Sequence, residues 1–309
     1  MPKGPLLIGT RGSPLALWQA RHVWARLLEA SGLGEGDVGL NVITTSGDRI
    51  KDKPLREFGG KGLFTKEIDE ALLREDADLA VHSMKDLPTE LPQNICIAAV
   101  LPRADVRDAF ISGKAPTLAE LPPNAVVGTS SLRRAAQVRR LRPDLRVVDF
   151  RGNVETRLKK LGEGQADATL LALAGLERLG LASHATSILS TEQMLPAVAQ
   201  GAISVTCRAD DAETRALLAP LNDPASATAV TCERGFLARL DGSCKTPIAG
   251  LAEIDGGILR FRGLVLMPDG SEWYDIELTG EAKRASQLGS DAGEELLARA
   301  GANFMARLA

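Results

Sequence analysis

The sequence has no excess of positive charge: 37 Lys and Arg stand against 40 Asp and Glu, a formal net charge of -3. A nucleic-acid-binding surface is therefore not expected, because such domains usually carry a basic patch. Any cationic cluster has to be local. No apolar run approaches the roughly 20 residues that cross a bilayer, and the amino terminus lacks a basic segment followed by an apolar one. No membrane association is expected, and the expected location is the cytoplasm. Cysteine and histidine are scarce, at 4 and 3 residues. Cys96, Cys207, Cys232 and Cys244 form no C-x-x-C pair and no metal-ligand rhythm, so no metal site is expected. Two phosphate signatures are also missing. There is no G-x-x-x-x-G-K-[ST], and no G-x-G-x-x-G follows a strand. A cysteine hydrolase would need a histidine base, and only His82 lies near candidate chemistry, leaving a Cys244/His82 dyad as its one arrangement.

What is present is enough chain for a large core: 309 residues, 44% of them hydrophobic, which suggests two or three domains. Short apolar strands alternate with amphipathic helices through the first two thirds, an α/β signature. The first block runs through Leu6 to Ile8, a helix opened by Ser13 and Pro14, Leu40 to Thr44, a helix from Thr65, and Leu79 to Val81. Ser13 suits a cap and Pro14 the first helical position. Trp18 and Trp24 read as packing residues. A second block from Asp108 repeats the pattern, and the two share an echo: Ile8-Gly9-Thr10-Arg11-Gly12-Ser13 against Val127-Gly128-Thr129-Ser130-Ser131. Both read as strand, Gly-Thr turn and serine-capped helix start, the kind of terminus that binds anions. The apolar stretch Ala202 to Arg208 reads as a strand returning to the first block, making a two-segment hinge. From Pro224 the pattern becomes a helix over Ala227 to Leu240, hairpins with turns at Asp255-Gly256-Gly257 and Pro268-Asp269-Gly270, and a closing helical stretch. The expected division is residues 1–101 with 202–219, residues 107–195, and a smaller α+β domain over 224–309.

Three groups of residues carry chemistry. The run Val81-His82-Ser83-Met84-Lys85-Asp86-Leu87-Pro88 ends a buried strand with reactive side chains at its carboxyl end, where α/β proteins place ligands. Asp86 beside Lys85 can give or take a proton; a structural turn before proline is the plain alternative. Arg133 and Arg134 sit in the first turns of a helix, where cations oppose the dipole by a few tenths to about 1 kcal/mol, so a bound anion is the natural compensation. Arg151 and Arg157 add two more guanidinium groups, whose forks match carboxylates. The alternative is a solvated basic face paired to Asp144, Asp149 and Glu155. Cys244, in a loop next to Lys245, has surroundings that favour thiolate, whereas Cys96 and Cys207 read as buried packing. Gly59 to Gly62 reads as a mobile lid or a plain glycine-rich turn. On the residues alone, an anion-binding α/β protein with a reactive thiol remains as open as an enzyme.

Taken in order, Thr10 to Ala16, Gly59 to Phe64, Val81 to Pro88, Gly128 to Arg134, Arg151-Gly152-Asn153, Leu195 to Gly201 and Gly242-Ser243-Cys244 resemble the porphobilinogen deaminase (hydroxymethylbilane synthase) family. The resemblance implies two domains similar to periplasmic binding proteins, a third domain carrying a cofactor, and a monomer. It implies a dipyrromethane cofactor, thioether-linked to Cys244, onto which four porphobilinogen units are condensed with loss of ammonia before 1-hydroxymethylbilane is freed by hydrolysis. Asp86 would be the catalytic residue, assisting ammonia departure and removing the proton after coupling. Lys85, Asp86, Ser131, Arg133 and Arg134 would hold the cofactor. Arg11, Ser13, Arg151, Arg157, Lys61, Phe64 and Gln200 would meet substrate, with Asp48 near the start of the lid. The chain departs from the family pattern at Gly12, Glu57 and Ala199, and Glu57 puts in doubt any additional cationic contact from the lid.

Overall fold

A computed structural model describes residues 4–49, 62–240 and 246–308. The chain divides into two compact units, residues 1–104 with 201–227, and residues 105–200 with 228–309. In the first, strands β1 (Leu6–Arg11), β2 (Val38–Ile43), β3 (Leu79–Ser83), β4 (Ile95–Val100) and β10 (Ile203–Arg208) form a sheet in the order β2-β1-β3-β10-β4. β1 runs parallel to β2 and β3, whereas β10 is antiparallel to both neighbours. Helices α1 (Pro14–Ser31), α2 (Ser46–Arg49), α3 (Lys66–Leu73) and α7 (Ala212–Leu218) complete this unit. α1 starts as its sequence specifies: the Ser13 hydroxyl accepts the Ala16 N–H, and the helix ends at Gly32 in the left-handed region that glycine favours. Its buried residues Val23 and Leu27 pack with Ile8, Leu79 and Val205, and both Trp18 and Trp24 flank that core as packing residues.

The second unit opens with an independent copy of this plan. Strands β5 (Asp108–Ser112), β6 (Val126–Gly128), β7 (Arg146–Val148), β8 (Ala168–Ala172) and β9 (Ser187–Ile188) take the order β7-β6-β8-β5-β9. Again the first strand of the pattern, here β6, lies parallel between two neighbours, and an out-of-sequence strand, β5, is antiparallel to both of its own. The short echo in the sequence therefore marks the same point of two sheets of one topology. Helices α4 (Leu132–Leu141), α5 (Val154–Gly162) and α6 (Leu173–Arg178) accompany it. Phe110, Val127, Val138 and Leu170 form its core.

A third, antiparallel sheet, β11 (Ile248–Asp255), β12 (Ile258–Leu266) and β13 (Trp273–Glu281), follows with α8 (Pro224–Arg239) and α9 (Ala285–Leu308). The expected hairpin turns are present, with Gly256, Gly257 and Gly270 at positive φ. This sheet has its own core around Phe236, Phe261, Leu296 and Phe304. It is also packed onto α4 through Ala136, Leu251, Leu264 and Leu266, so it belongs to the same compact unit as the second sheet. The helix expected from Ala227 starts three residues earlier, because Asp223 accepts the Ser226 N–H and Pro224 suits the first turn.

The glycines of α9 have a packing reason. A Cβ on Gly289 would lie 1.9 Å from the Cys232 carbonyl oxygen, and one on Gly293 would lie 2.7 Å from Arg239 Cβ. Only glycine lets α9 approach α8 this closely. Gly301 is different: its φ of 74° and ψ of 163° break the helix into two pieces. Replacing Gly289 by alanine is expected to destabilise the protein by about 3 kcal/mol through overpacking, read as a lower urea midpoint. An unchanged midpoint would show that the two helices separate at no cost.

Candidate active site

In the first unit, the carboxyl ends of β1 and β3 and the start of α1 enclose a small cleft of about 60 Å³ lined by Arg11, Ser13, Gln19, Phe64, Thr65, Ser83 and Asp86, among others. Four sequence-predicted residues, Arg11, Ser13, Phe64 and Asp86, thus come together at one sheet edge. Asp86 sits in a single 3-10 turn, Met84–Asp86, directly after β3, with half-buried Lys85 beside it. The turn is fixed from both sides: Met84 N–H donates to the Ala202 carbonyl at 3.0 Å and Leu87 N–H to the Met84 carbonyl at 3.1 Å. Arg11 lies over the Phe64 ring, 4.2 Å from its centroid, and forms an ion pair with Asp48. Burial works to raise the Asp48 carboxyl, but hydrogen bonds from Arg11 and Thr45 and the Arg11 charge outweigh it, and the group stays below its ordinary value. Gln19, which the sequence gave no reason to single out, exchanges hydrogen bonds with Ser83 at 2.9 and 3.2 Å.

His82 is not a base for a cysteine hydrolase. Its ring is buried with Nε2 3.2 Å from Thr206 Oγ1, and burial, aided by the Arg11 charge, pushes its pKa down to about 4. A group that sheds its proton so readily is a weak general base at neutral pH.

In the second unit the arginines of α4 have found an anion within the protein. Arg133 Nη2 donates to Asp108 Oδ2 and Arg134 Nη2 to Asp108 Oδ1, each at 2.8 Å, with Asp108 fully buried. Their remaining contacts are carbonyls: Leu195 O for Arg133 at 2.7 Å and Leu170 O for Arg134 at 3.1 Å. Gln200 joins them, its amide donating to Asp108 Oδ1 and Val106 O at 2.8 Å. Burial alone would raise the Asp108 carboxyl; the two guanidinium charges and their hydrogen bonds prevail and drive it far below the usual range. Within the protein the dipole penalty of Arg133 and Arg134 is met by Asp108, and Gln200 is buried against the same carboxylate. Asp108 itself was missed because nothing local to residue 108 signals which cations it will meet.

Ser131 caps α4, its hydroxyl accepting the Arg134 N–H, and Asn153 caps α5. Beside them Arg157 is held by one hydrogen bond, Nε to Gly152 O at 2.8 Å. Burial, followed by the like charges of Arg134 and Arg151, lowers its pKa to about 10, and only Asp149 opposes them. Asp144 does not help, since its carboxylate is paired with Arg142 at 2.6 Å. Three guanidinium groups, Arg134, Arg151 and Arg157, thus act on one another beside two capped helix starts, an arrangement that suits an acidic ligand. A dipyrromethane fits this donor set, since each of its rings carries acetate and propionate carboxylates for the cations. Cys244, its expected attachment, and Lys61 lie outside the described residues.

These features define an α/β protein with cationic side chains and capped helix starts at the carboxyl ends of two similar sheets. Family models for "Porphobilinogen deaminase, dipyromethane cofactor binding domain" and "Porphobilinogen deaminase, C-terminal domain" match residues 6–216 and 227–298. The porphobilinogen deaminase of Paracoccus denitrificans is 56% identical over 303 residues, covering 98% of this chain and 97% of that protein. A chloroplastic porphobilinogen deaminase of Oryza sativa is 54% identical, covering 96% of this chain and 84% of that protein. Among solved structures, the methionine-binding protein MetQ aligns at 13% identity and a TM-score of 0.45, over 70% of this chain and 89% of that one. The chain belongs to the porphobilinogen deaminase family. Members are hydroxymethylbilane synthases, transferases of tetrapyrrole synthesis with a dipyrromethane cofactor.

Replacing Asp108 by asparagine keeps the shape but strands two buried guanidinium groups. The expected cost is about 3–5 kcal/mol at neutral pH, measured by urea unfolding. Because the folded-state pKa of Asp108 is depressed, its contribution is fully present above the ordinary carboxylate range and is lost only as the pH falls below about 4. The difference between wild type and variant should therefore be constant from pH 8 to pH 5. A difference that shrinks already at pH 6 would contradict the pairing.

Proposed function

We propose that this chain condenses four porphobilinogen molecules stepwise onto a dipyrromethane attached to Cys244, releases ammonia at each addition, and frees 1-hydroxymethylbilane by hydrolysis. The carrying observation is the buried Arg157 guanidinium, whose charge burial and the neighbouring Arg134 and Arg151 disfavour, since every pyrrole unit brings two carboxylates and family membership supplies the chemistry. When bound, the dipyrromethane supplies the pyrrole carbon that accepts the first unit. Asp86 accepts hydrogen bonds from pyrrole N–H groups, stabilises positive charge as ammonia leaves, and takes the ring proton after the C–C bond forms. Lys85, Ser131 and Arg134 hold the carboxylates of the cofactor, and Arg133 keeps Arg134 in register through Asp108. Arg11, Ser13, Arg151 and Arg157 take the carboxylates of incoming units, with Lys61 and Phe64 closing beside them. In this reading the division is into three domains: residues 1–101 with 202–219, 107–195, and 224–309. The enzyme works as a cytoplasmic monomer on a small-molecule substrate, with no nucleic-acid or membrane partner.

Peptide mapping of the purified protein tests the attachment. Two pyrrole units are expected on Cys244, and an unmodified Cys244 that gains none on incubation with porphobilinogen would overturn it.

Two substitutions test the roles. Asp86→Asn should slow each addition by roughly 10²–10⁴-fold, counted as pyrrole units gained in the intact mass, without changing the urea midpoint. Arg157→Leu should lower kcat/KM for porphobilinogen about ten- to a hundredfold, the worth of one charged hydrogen bond. An Asp86→Asn variant that elongates at the normal rate would remove Asp86 from the mechanism.

A further inference from the structure

Outside the site, one pair of nucleophilic side chains is unused by the chemistry above. Cys96 on β4 and Cys207 on β10 are 111 residues apart in sequence, and their sulfurs are 3.9 Å apart. They are directly opposed in the antiparallel register, Cys207 against Cys96, one residue from a register irregularity between Val205 and Thr206. From this geometry we infer that Cys96 and Cys207 form a reversible cross-strand disulfide, a thiol-oxidation site of the first unit, with a hydroperoxide as oxidant.

The backbone geometry already suits it. Opposed residues of an antiparallel pair have Cα atoms about 4.5–5.5 Å apart, inside the disulfide range of about 4.4–6.8 Å. Only the sulfurs have to close, by side-chain rotation and a small shift of one strand. β4 is the edge strand of the sheet, with β10 as its sole strand neighbour, and it can make that shift without disturbing a second ladder.

The two thiols differ in a way that assigns their roles. Cys96 is partly exposed and Cys207 is buried. Burial, then the neighbouring Cys96, raises the Cys207 thiol to about 12, so it is the poorer attacking group. Cys96 sulfur therefore attacks a peroxide oxygen; the O–O bond breaks, one water leaves, and Cys96 carries a sulfenic acid. Cys207 sulfur then attacks the Cys96 sulfur, the S–O bond breaks, and a second water leaves with the Cys207 proton. Two thiols lose two electrons in total and one hydrogen peroxide gains them. Dithiothreitol reverses the change by thiol–disulfide exchange.

The full-length holoenzyme is treated with a few equivalents of hydrogen peroxide, quenched with iodoacetamide, unfolded, alkylated again and mapped by mass under non-reducing conditions. The expected product is a joined pair of peptides containing Cys96 and Cys207, about 2 Da lighter than their sum and separated by dithiothreitol. Buried Cys232 serves as the internal control and should be alkylated as a free thiol after unfolding. In Cys96→Ser the joined pair should vanish and Cys207 should remain a thiol. The inference is overturned if wild-type Cys96 proceeds to sulfinic acid while Cys207 stays alkylatable, if the link joins two chains, or if neither thiol is consumed. The wild-type map decides between these without relying on the folding of any variant.

Discussion

The structure of the second unit turns on one buried carboxylate. Asp108 opens β5 and accepts from Arg133 and Arg134 of α4 and from Gln200 at the other end of the segment. The same arginines reach the carbonyls of Leu195 and Leu170. A single ion thus ties the helix that starts at Ser131 to strands β5 and β8 and to the stretch before the chain leaves for β10. In a low-dielectric interior such a network is costly if any partner is missing and rigid when all are present. Rigidity is what a carboxylate-binding wall requires. Arg134 keeps its guanidinium fixed near Arg151 and Arg157, and its charge is one of the two that depress Arg157.

The repeated topology makes the contrast between the two units informative. Both sheets place a Gly-Thr turn and a serine-capped helix at the end of their central parallel strand, and both put arginine there. In the first unit Arg11 is half-exposed, stacked over Phe64 and paired with Asp48 on a short helix. In the second, the α4 arginines are buried and locked to Asp108. A partly exposed pair at the mouth of a cleft exchanges partners at little cost, because solvent screens the loss. A buried triad does not. The first arrangement suits a group that has to meet successive ligands, and the second suits one that has to hold still.

Much of this was legible in the residues. Ser13-Pro14 and Ser131 specify their helix starts through hydroxyl caps, and alternating apolar strands with short connections specify an α/β chain. The place of Asp86 just after β3 was readable because a buried strand ending in Lys-Asp before Leu-Pro is a local signal. The rest was hidden wherever the deciding contact is remote in sequence. Asp108 meets cations 25 and 26 residues away and an amide 92 residues away, so nothing local to Gln200 shows that it joins that carboxylate. The same holds for Cys96 and Cys207, whose apolar runs read as packing because neither shows that the other faces it. The early start of α8 is a milder case: Asp223-Pro224 is a good cap and first position, but the apolar periodicity that draws the eye begins later.

The net charge of -3 also misleads if taken as a property of the whole surface. Carboxylates are spent close to the arginines they neutralise: Asp144 on Arg142, Asp211 and Asp78 on Arg208, Glu277 on Arg260, Glu253 and Glu192 on Arg262. Arg134 shares Asp108 with Arg133, and Asp149 acts on Arg157. An acidic chain can therefore still gather arginines locally, as at Arg134, Arg151 and Arg157. Where the arginines stand, and not how many the chain contains, sets the local field that a carboxylate meets.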